Sequence, residues 1–154
     1  MKKFVLLLSL LPTTIAIAQA PGTVQWDAST QPVPGHDGVV IANVTAKIEK
    51  GWHIYAQTQS SGGPIPLRVS IESGAPYELA GAITATKPLT RHDSSFDLDT
   101  QFYTESFFLK IPVKATAGAQ PDVPLAVRFQ MCSDTTCMPS RTVHLLATKK
   151  SPSI

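Results

Sequence analysis

The sequence predicts an all-β protein, an immunoglobulin-like antiparallel β-sandwich, and three observations support this prediction. From Gly22 onward, no window of a dozen residues contains an apolar stripe with helical spacing. Short alternating or β-branched runs recur instead, separated by Pro, Gly, Asn, Asp and Ser. The chain of 154 residues also contains 13 prolines, and each proline inside a helix costs about 3 kcal/mol.

Six segments are expected to form strands, and this number of short strands is typical of an immunoglobulin-like sandwich. In chain order they are residues 38–48, 52–56, 66–72, 102–113, 124–131 and 141–146. The first alternates in its second half, and the second begins after a Lys50-Gly51 turn. The third alternates clearly, with Leu67, Val69 and Ile71 on one face. The fourth is a long strand, and the fifth and sixth complete the series.

The length of the chain suits one domain, which is expected to span residues 21–148. Its 43% apolar content can fill a core, and its 16% charged content is too low for a disordered chain. Two polar segments, 57–63 and 90–95, are expected to be loops. The last residues, 149–154, are expected to be a frayed tail.

Residues 1–20 are predicted to be a secretory signal peptide. Lys2 and Lys3 precede a short apolar run, and small residues follow it in an A-x-A arrangement. Cleavage after Ala18 is favoured over cleavage after Ala20, because Pro21 would follow the second site. The apolar run is far shorter than the roughly 20 residues that a membrane-spanning helix needs. The mature protein is therefore expected to be periplasmic, and not embedded in a membrane.

The net charge excludes one class of function. Thirteen Lys and Arg against 11 Asp and Glu give a net charge of +2. Removal of Lys2 and Lys3 with the signal peptide leaves equal numbers of positive and negative residues, so the mature net charge is about zero. A nucleic-acid-binding protein needs a basic surplus to displace counterions from phosphates. Nucleic acid is therefore not expected as a partner.

The two cysteines, Cys132 and Cys137, lie between the last two predicted strands, at a hairpin tip. In an exported protein, a structural disulfide is the ordinary interpretation. A loop of this length contributes only about 2 kcal/mol on the chain-entropy estimate, and a tight, exposed bond is easier to reduce. A redox-active pair is therefore a second interpretation.

A third interpretation is a Cu(I) site, because Met131 and Met138 flank the cysteines and soft sulfur ligands suit that ion. Zinc has less support, since no second pair of cysteines or histidines shows ligand spacing. No Ser-His-Asp pattern, phosphate-binding glycine loop or paired carboxylates stand out in the sequence. Hydrolase and nucleotide-binding functions therefore have no support.

Two stretches of the chain carry a family resemblance. The first is Lys-Gly-Trp-His-Ile-Tyr-Ala at 50–56, followed by Gly-Gly-Pro-Ile-Pro at 62–66. The second, at 127–139, contains Phe-Gln-Met-Cys and then Cys-Met-Pro. Together they resemble the N-terminal periplasmic domain of the thiol:disulfide interchange protein DsbD. Because the chain ends at Ile154, without the membrane portion and the C-terminal thioredoxin domain of that protein, a stand-alone version is expected.

The resemblance implies an immunoglobulin-like sandwich that carries a redox-active cysteine pair on a hairpin. The implied activity is thiol–disulfide exchange without a cofactor. Cys137 would form the mixed disulfide with partner proteins and Cys132 would resolve it, although the sequence leaves the reverse assignment open. The implied electron donor is a membrane electron-transport protein or a thioredoxin-like protein. The implied acceptors are periplasmic disulfide isomerases or thioredoxin-like proteins of cytochrome maturation.

The resemblance also implies an aromatic lid over the disulfide. Phe96 is the first candidate, and Phe102 and Tyr103 are alternatives. Asp134 and Asp93 are candidates for modulating the thiols, because a nearby carboxylate raises the pKa of a thiol.

Two histidines near the predicted site are expected to have other roles. His53 is interpreted as a solvent-facing strand residue, and His144 lies on the strand after the cysteines. The rivals to the exchange function are a non-enzymatic immunoglobulin-like binding module with a structural disulfide, and a Cu(I)-binding module.

Overall fold

The computed structural model describes residues 24–116 and 122–150, and the chain there forms strands without a helix. The predicted signal peptide lies outside the described residues, as do residues 151–154 of the predicted tail. The strands are β1 (Val24–Pro32), β2 (Val39–Ile48), β3 (His53–Tyr55), β4 (Arg68–Ile71), β5 (Tyr77–Leu79), β6 (Thr84–Ala85), β7 (Leu89–Asp93), β8 (Leu98–Tyr103), β9 (Ser106–Ala115), β10 (Val123–Phe129), β11 (Met131–Cys132) and β12 (Arg141–Lys149).

Eight strands form a large sheet in the order β4-β10-β12-β1-β2-β9-β5, and β6 also pairs with β9. Its described ladders are antiparallel except that of β1 and β12, which run parallel. Thr30 of β1 lies opposite Lys149, so β12 includes the first residue of the predicted tail. The two edge strands, β4 and β5, contact each other, which means that the sheet curves around the core.

The other four strands form a small sheet in the order β11-β3-β8-β7. Ile54 of β3 lies opposite both Met131 of β11 and Tyr103 of β8. These three side chains are buried in the main core, together with residues of the large sheet. One face of the small sheet therefore packs on the large sheet, and the predicted immunoglobulin-like sandwich is confirmed.

Alternation along β9 shows how the large sheet builds the core. Phe107, Leu109, Ile111 and Val113 are buried, whereas Phe108 is 44% exposed on the opposite face. Successive side chains of a strand point to opposite faces, so the apolar residues at every second position form a continuous inner surface.

The structure corrects several strand predictions. The predicted strand 102–113 is two strands, because Thr104 and Glu105 form the turn between β8 and β9, with φ of 58° at Glu105. The predicted strand 124–131 is also divided, at Gln130. Most of the predicted loop 90–95 belongs to β7, an edge strand on which Thr90, Arg91 and His92 are exposed and Asp93 is buried. β1, β5 and β6 were not predicted, since their sequences are polar or very short.

The alternation on β9 can be tested with two adjacent phenylalanines. Phe107→Ala should lower the free energy of unfolding by roughly 3–5 kcal/mol, because it leaves a cavity in the core. Phe108→Ala, the matched control, should change it by less than about 1 kcal/mol. Chemical denaturation of both variants measures the difference. Similar losses in the two variants would contradict the assignment of the faces.

Candidate functional site

The two cysteines form a disulfide at one end of the small sheet. Cys132 is the last residue of β11, and Cys137 follows after a tight turn, with its backbone bridged to that of Cys132. The amide of Ser133 donates to the carbonyl of Thr136 at 2.8 Å. The Ser133 hydroxyl accepts from the amides of Thr135 and Thr136. Local hydrogen bonds therefore hold this segment, called here the cysteine loop (residues 132–137).

Alternation in the small sheet places Cys132 on the face that points away from the main core. Met131 and Ile54 point inward, so Cys132, His53 and Tyr55 point outward. Cys132 packs there with Tyr55 and Phe102 in a second, smaller apolar cluster. The disulfide thus lies against an aromatic surface outside the sandwich core.

The two cysteines differ in their exposure to solvent. Cys132 is 1% exposed, whereas Cys137 is exposed and lines an open pocket of about 370 Å³. The pocket lies between the cysteine loop and the end of β7, and His53 and Tyr55 also line it. A molecule that approaches from solvent therefore meets Cys137 first.

Phe96 lies in the turn between β7 and β8 and packs against the cluster that contains Cys132. The turn spans residues 94–97, and Asp97 closes it with φ of 53°, a conformation that Asp tolerates better than most residues. The ring of Phe96 is nearly perpendicular to that of Tyr55, with centroids 6.0 Å apart. The structure therefore places Phe96 against the apolar cluster that contains Cys132.

The two alternative lid residues lie on opposite faces of β8. Phe102 is buried in the cluster beside Cys132. Tyr103 points into the main core, where it stacks on Phe107 with ring centroids 4.4 Å apart. Tyr103 therefore does not join the aromatic surface around the disulfide.

Asp93, at the end of β7, is buried next to this aromatic surface. The Tyr55 hydroxyl donates to one of its carboxylate oxygens at 2.8 Å, and the Ser95 amide donates to the other at 3.0 Å. Burial alone would raise the pKa of Asp93, but these hydrogen bonds and the nearby His53 outweigh it and hold the pKa below its ordinary value. Burial and the bond to Asp93 raise the pKa of Tyr55, so Tyr55 stays protonated as the donor.

Asp134 lies in the cysteine loop and forms an ion pair with Arg91 of β7 at 3.1 Å. The guanidinium of Arg91 also lies 4.7 Å from the centre of the Phe102 ring, within the range of a cation–π contact. Asp134 is thus balanced by a cation, and Arg91 connects the cysteine loop to β7. Nothing in the sequence pattern marks Arg91, because only the pairing of β7 with β8 brings it to this surface.

His53 is not solvent-facing, which corrects the prediction from the sequence. It is 5% exposed, and its ring contacts those of Tyr55 and Phe102 with centroids 5.0 and 5.3 Å away. The outer face of the small sheet carries aromatic rings at this point, and the side chains of Arg91 and Asp134 lie near His53, which a pattern of alternation alone does not show. His144, in contrast, is exposed on the large sheet and pairs with Glu72.

The arrangement of the methionines does not favour a Cu(I) site. Met131 points into the main core, opposite to Cys132, and its sulfur contacts a guanidinium nitrogen of Arg141 at 3.4 Å. Met138 also packs against the main core. Within residues 24–116 and 122–150, no cluster of three or more His, Cys, Asp or Glu side chains could hold a metal ion. Both methionines thus pack with the main core, whereas Cys132 lies in the separate cluster on the other face of the small sheet.

Comparison with protein families gives a match over most of the chain. The model described as "Thiol:disulfide interchange protein DsbD, N-terminal" matches residues 20–149. The comparison with curated proteins gave no match. In the part of the chain that the structure describes, no helix is long and apolar enough to cross a membrane.

Solved structures with the same fold are similar at low sequence identity. The reduced N-terminal domain of DsbD from Neisseria meningitidis matches with a TM-score of 0.52 and 16% identity, over 71% of this chain and 78% of that chain. The N-terminal periplasmic domain of ScsB from Proteus mirabilis matches with a TM-score of 0.55 and 15% identity, over 82% of this chain and 45% of that chain. This chain thus spans less than half of the ScsB chain. A structure of the complex between the DsbD and PilB N-terminal domains from Neisseria meningitidis matches with a TM-score of 0.47 and 14% identity, over 79% of this chain and 80% of that chain.

The position of Phe96 leads to a test of the lid. Phe96→Ala should speed the reduction of the disulfide by glutathione, because the ring no longer blocks the approach to the sulfurs. The free energy of unfolding should fall by less than the roughly 3–5 kcal/mol of a buried Phe→Ala truncation. Phe108→Ala is the control, since it removes an exposed ring far from the cysteines. An unchanged reduction rate with a large loss of stability would show that Phe96 acts only as a packing residue.

Proposed function

The chain belongs to the family of DsbD N-terminal domains, and we propose on this premise that it is a periplasmic thiol–disulfide exchange domain. It would relay reducing equivalents through Cys132 and Cys137, which form a disulfide in the structure. The main support is the asymmetry of the pair, with one cysteine exposed in a pocket and the other buried against aromatic side chains. A bond that serves only stability has no need of an accessible sulfur.

The proposed reaction passes through a mixed disulfide. In the reduced domain, the Cys137 thiolate attacks the disulfide of an acceptor protein, whose S–S bond breaks and releases one thiolate. Cys132 then attacks the Cys137 sulfur, the bond to the acceptor breaks, and the second acceptor thiolate leaves. Two electrons have moved to the acceptor, and the Cys132–Cys137 disulfide has formed. The reverse sequence, with a dithiol donor, reduces the domain again.

The groups around the pair suit selective exchange. Phe96 and Phe102 would shield the sulfurs from small thiols, since exclusion of water disfavours the charged thiolate. Asp134 and Asp93 would add negative charge near the thiols and raise their pKa. Arg91 lies against Asp134 and would reduce that effect.

The proposed partners are proteins with dithiols or disulfides of their own. The donor would be a thioredoxin-like protein or a membrane electron-transport protein. The acceptor would be a periplasmic disulfide isomerase or a thioredoxin-like protein of cytochrome maturation. No cofactor is required, because electrons arrive and leave as thiols. Export by the predicted signal peptide would place the domain in the periplasm.

The midpoint potential of the pair distinguishes exchange from a purely structural bond. We expect a potential above about −300 mV, among the exchange proteins. Equilibration of the protein with glutathione or dithiothreitol buffers of known potential, followed by thiol labelling and mass spectrometry, measures it. A potential below about −300 mV would support the immunoglobulin-like binding module with an inert disulfide.

The division of roles can be tested with single-cysteine variants. Cys132→Ala, which keeps Cys137, should react with oxidised glutathione at least about tenfold faster than Cys137→Ala, because thiol reactivity follows access. Both variants should react at similar rates in denaturant, which is the control for intrinsic reactivity. A faster reaction of folded Cys137→Ala would reverse the roles of the two cysteines.

A further inference from the structure

His53 and Cys132 are directly opposite each other in the small sheet. The antiparallel pairing of β3 with β11 sets Cys132 against His53. Side chains of directly opposed residues lie on the same face, with Cβ atoms about 4.5–5.5 Å apart. The imidazole of His53 therefore lies across the ladder from Cys132, on the same face of the small sheet.

The Nε2 atom of His53 is buried and has no hydrogen-bond partner among the described residues. Buried polar atoms without a partner are rare, and each one calls for a physical explanation. The rings of Tyr55 and Phe102 pack against the imidazole, and the residue as a whole is only 5% exposed. The hydroxyl of Tyr55 donates to Asp93. Nε2 of His53, in contrast, makes no hydrogen bond to the described residues in the oxidised state.

The exchange reaction releases a proton from Cys132 when its thiol becomes part of the disulfide. In the reduced domain, Cys132 carries a thiol proton that must leave before its sulfur can attack. A thiol in apolar surroundings releases its proton less readily than an exposed one, and Cys132 is 1% exposed beside two aromatic rings. Cys137 is open to solvent, which can take its proton.

We propose that Nε2 of His53 accepts the proton of Cys132 in the second step of exchange. This inference rests on the proposed function. As Cys132 Sγ attacks Cys137 Sγ, its proton passes to His53, the S–S bond between Cys137 and the acceptor breaks, and the acceptor sulfur leaves as a thiolate. The imidazolium then returns its proton to solvent, or to the leaving thiolate. In the reverse direction, His53 gives a proton to Cys132 as that sulfur leaves the disulfide.

Burial is the main reason that His53 stays neutral and able to accept a proton. Burial lowers the pKa of His53 from 6.5, and the Arg91 cation of β7 lowers it further, whereas Asp93 of β7 and Asp134 of the cysteine loop oppose these effects. Tyr55, on the same strand, keeps its proton because burial raises its pKa. At neutral pH the imidazole is therefore a base and not a cation.

The test is the pH dependence of the second step. A chromogenic aromatic disulfide releases one coloured thiolate when Cys137 of the reduced protein attacks, and a second when Cys132 resolves the mixed disulfide. With His53 as base, the rate of the second release should be nearly independent of pH between the pKa of His53 and that of the thiol. His53→Gln should slow this release on the order of 100-fold at neutral pH. Its rate should then rise about tenfold per pH unit, as expected for a free thiolate.

His144→Gln is the matched control, because it removes an exposed histidine of the large sheet and should leave the profile unchanged. His53→Phe keeps a ring against Tyr55 and Phe102 and should give the same profile as His53→Gln. A plateau that survives in either folded variant would overturn the proposal. If neither variant folds, the wild-type profile decides, since a tenfold rise per pH unit through neutrality would also overturn it. Failure of the proposed function is a separate outcome, because it would appear as a midpoint potential in the range of inert structural disulfides, whatever the pH profile of the second release.

Discussion

The pairing of β11 with β3 is the constraint on which the rest of the site depends. β11 has only two residues, and Met131 is buried in the main core opposite Ile54. A shift of the register by one residue would move Met131 outward and put Cys132 into the core. Burial of Met131 therefore fixes the outward direction of Cys132. The chemistry of the disulfide is positioned by apolar packing on the other side of the sheet.

The contacts that cover the disulfide are weaker than those beneath it. The ion pair between Arg91 and Asp134 is largely exposed, with side-chain exposures of 45% and 83%, and such pairs contribute at most about 1 kcal/mol. Phe96 is held by a turn and by aromatic contacts on one side. The turn between β7 and β8 and the cysteine loop therefore lie outside the main core, which includes neither segment.

The sequence was sufficient for the fold class and for the pairing of the two cysteines, but not for the surroundings of the pair. Alternation and turn residues are local signals, so β2, β4, β10 and β12 were predicted near their observed positions. The environment of His53 depends on strands that are distant in sequence. The same is true of Arg91, which reaches Asp134 over 43 positions of the chain. The alternation of apolar and polar residues does not show which residues from distant parts of the chain pack on the outer face of the small sheet. His53 was therefore wrongly predicted to face solvent.

The turn between the two cysteines gives their sulfurs different access to solvent, and the proposed roles of the two residues rest on that difference. The turn of the cysteine loop brings Cys137 back beside Cys132 while leaving it at the rim of the pocket. Access for a partner and protection from water are opposite requirements for a single sulfur. In this pair each requirement is met by a different cysteine. The exposed Cys137 can exchange its proton with solvent, whereas the buried Cys132 cannot do so directly. A buried cysteine in such a pair therefore needs a proton acceptor from the protein itself, and the ladder between β11 and β3 sets His53 opposite it.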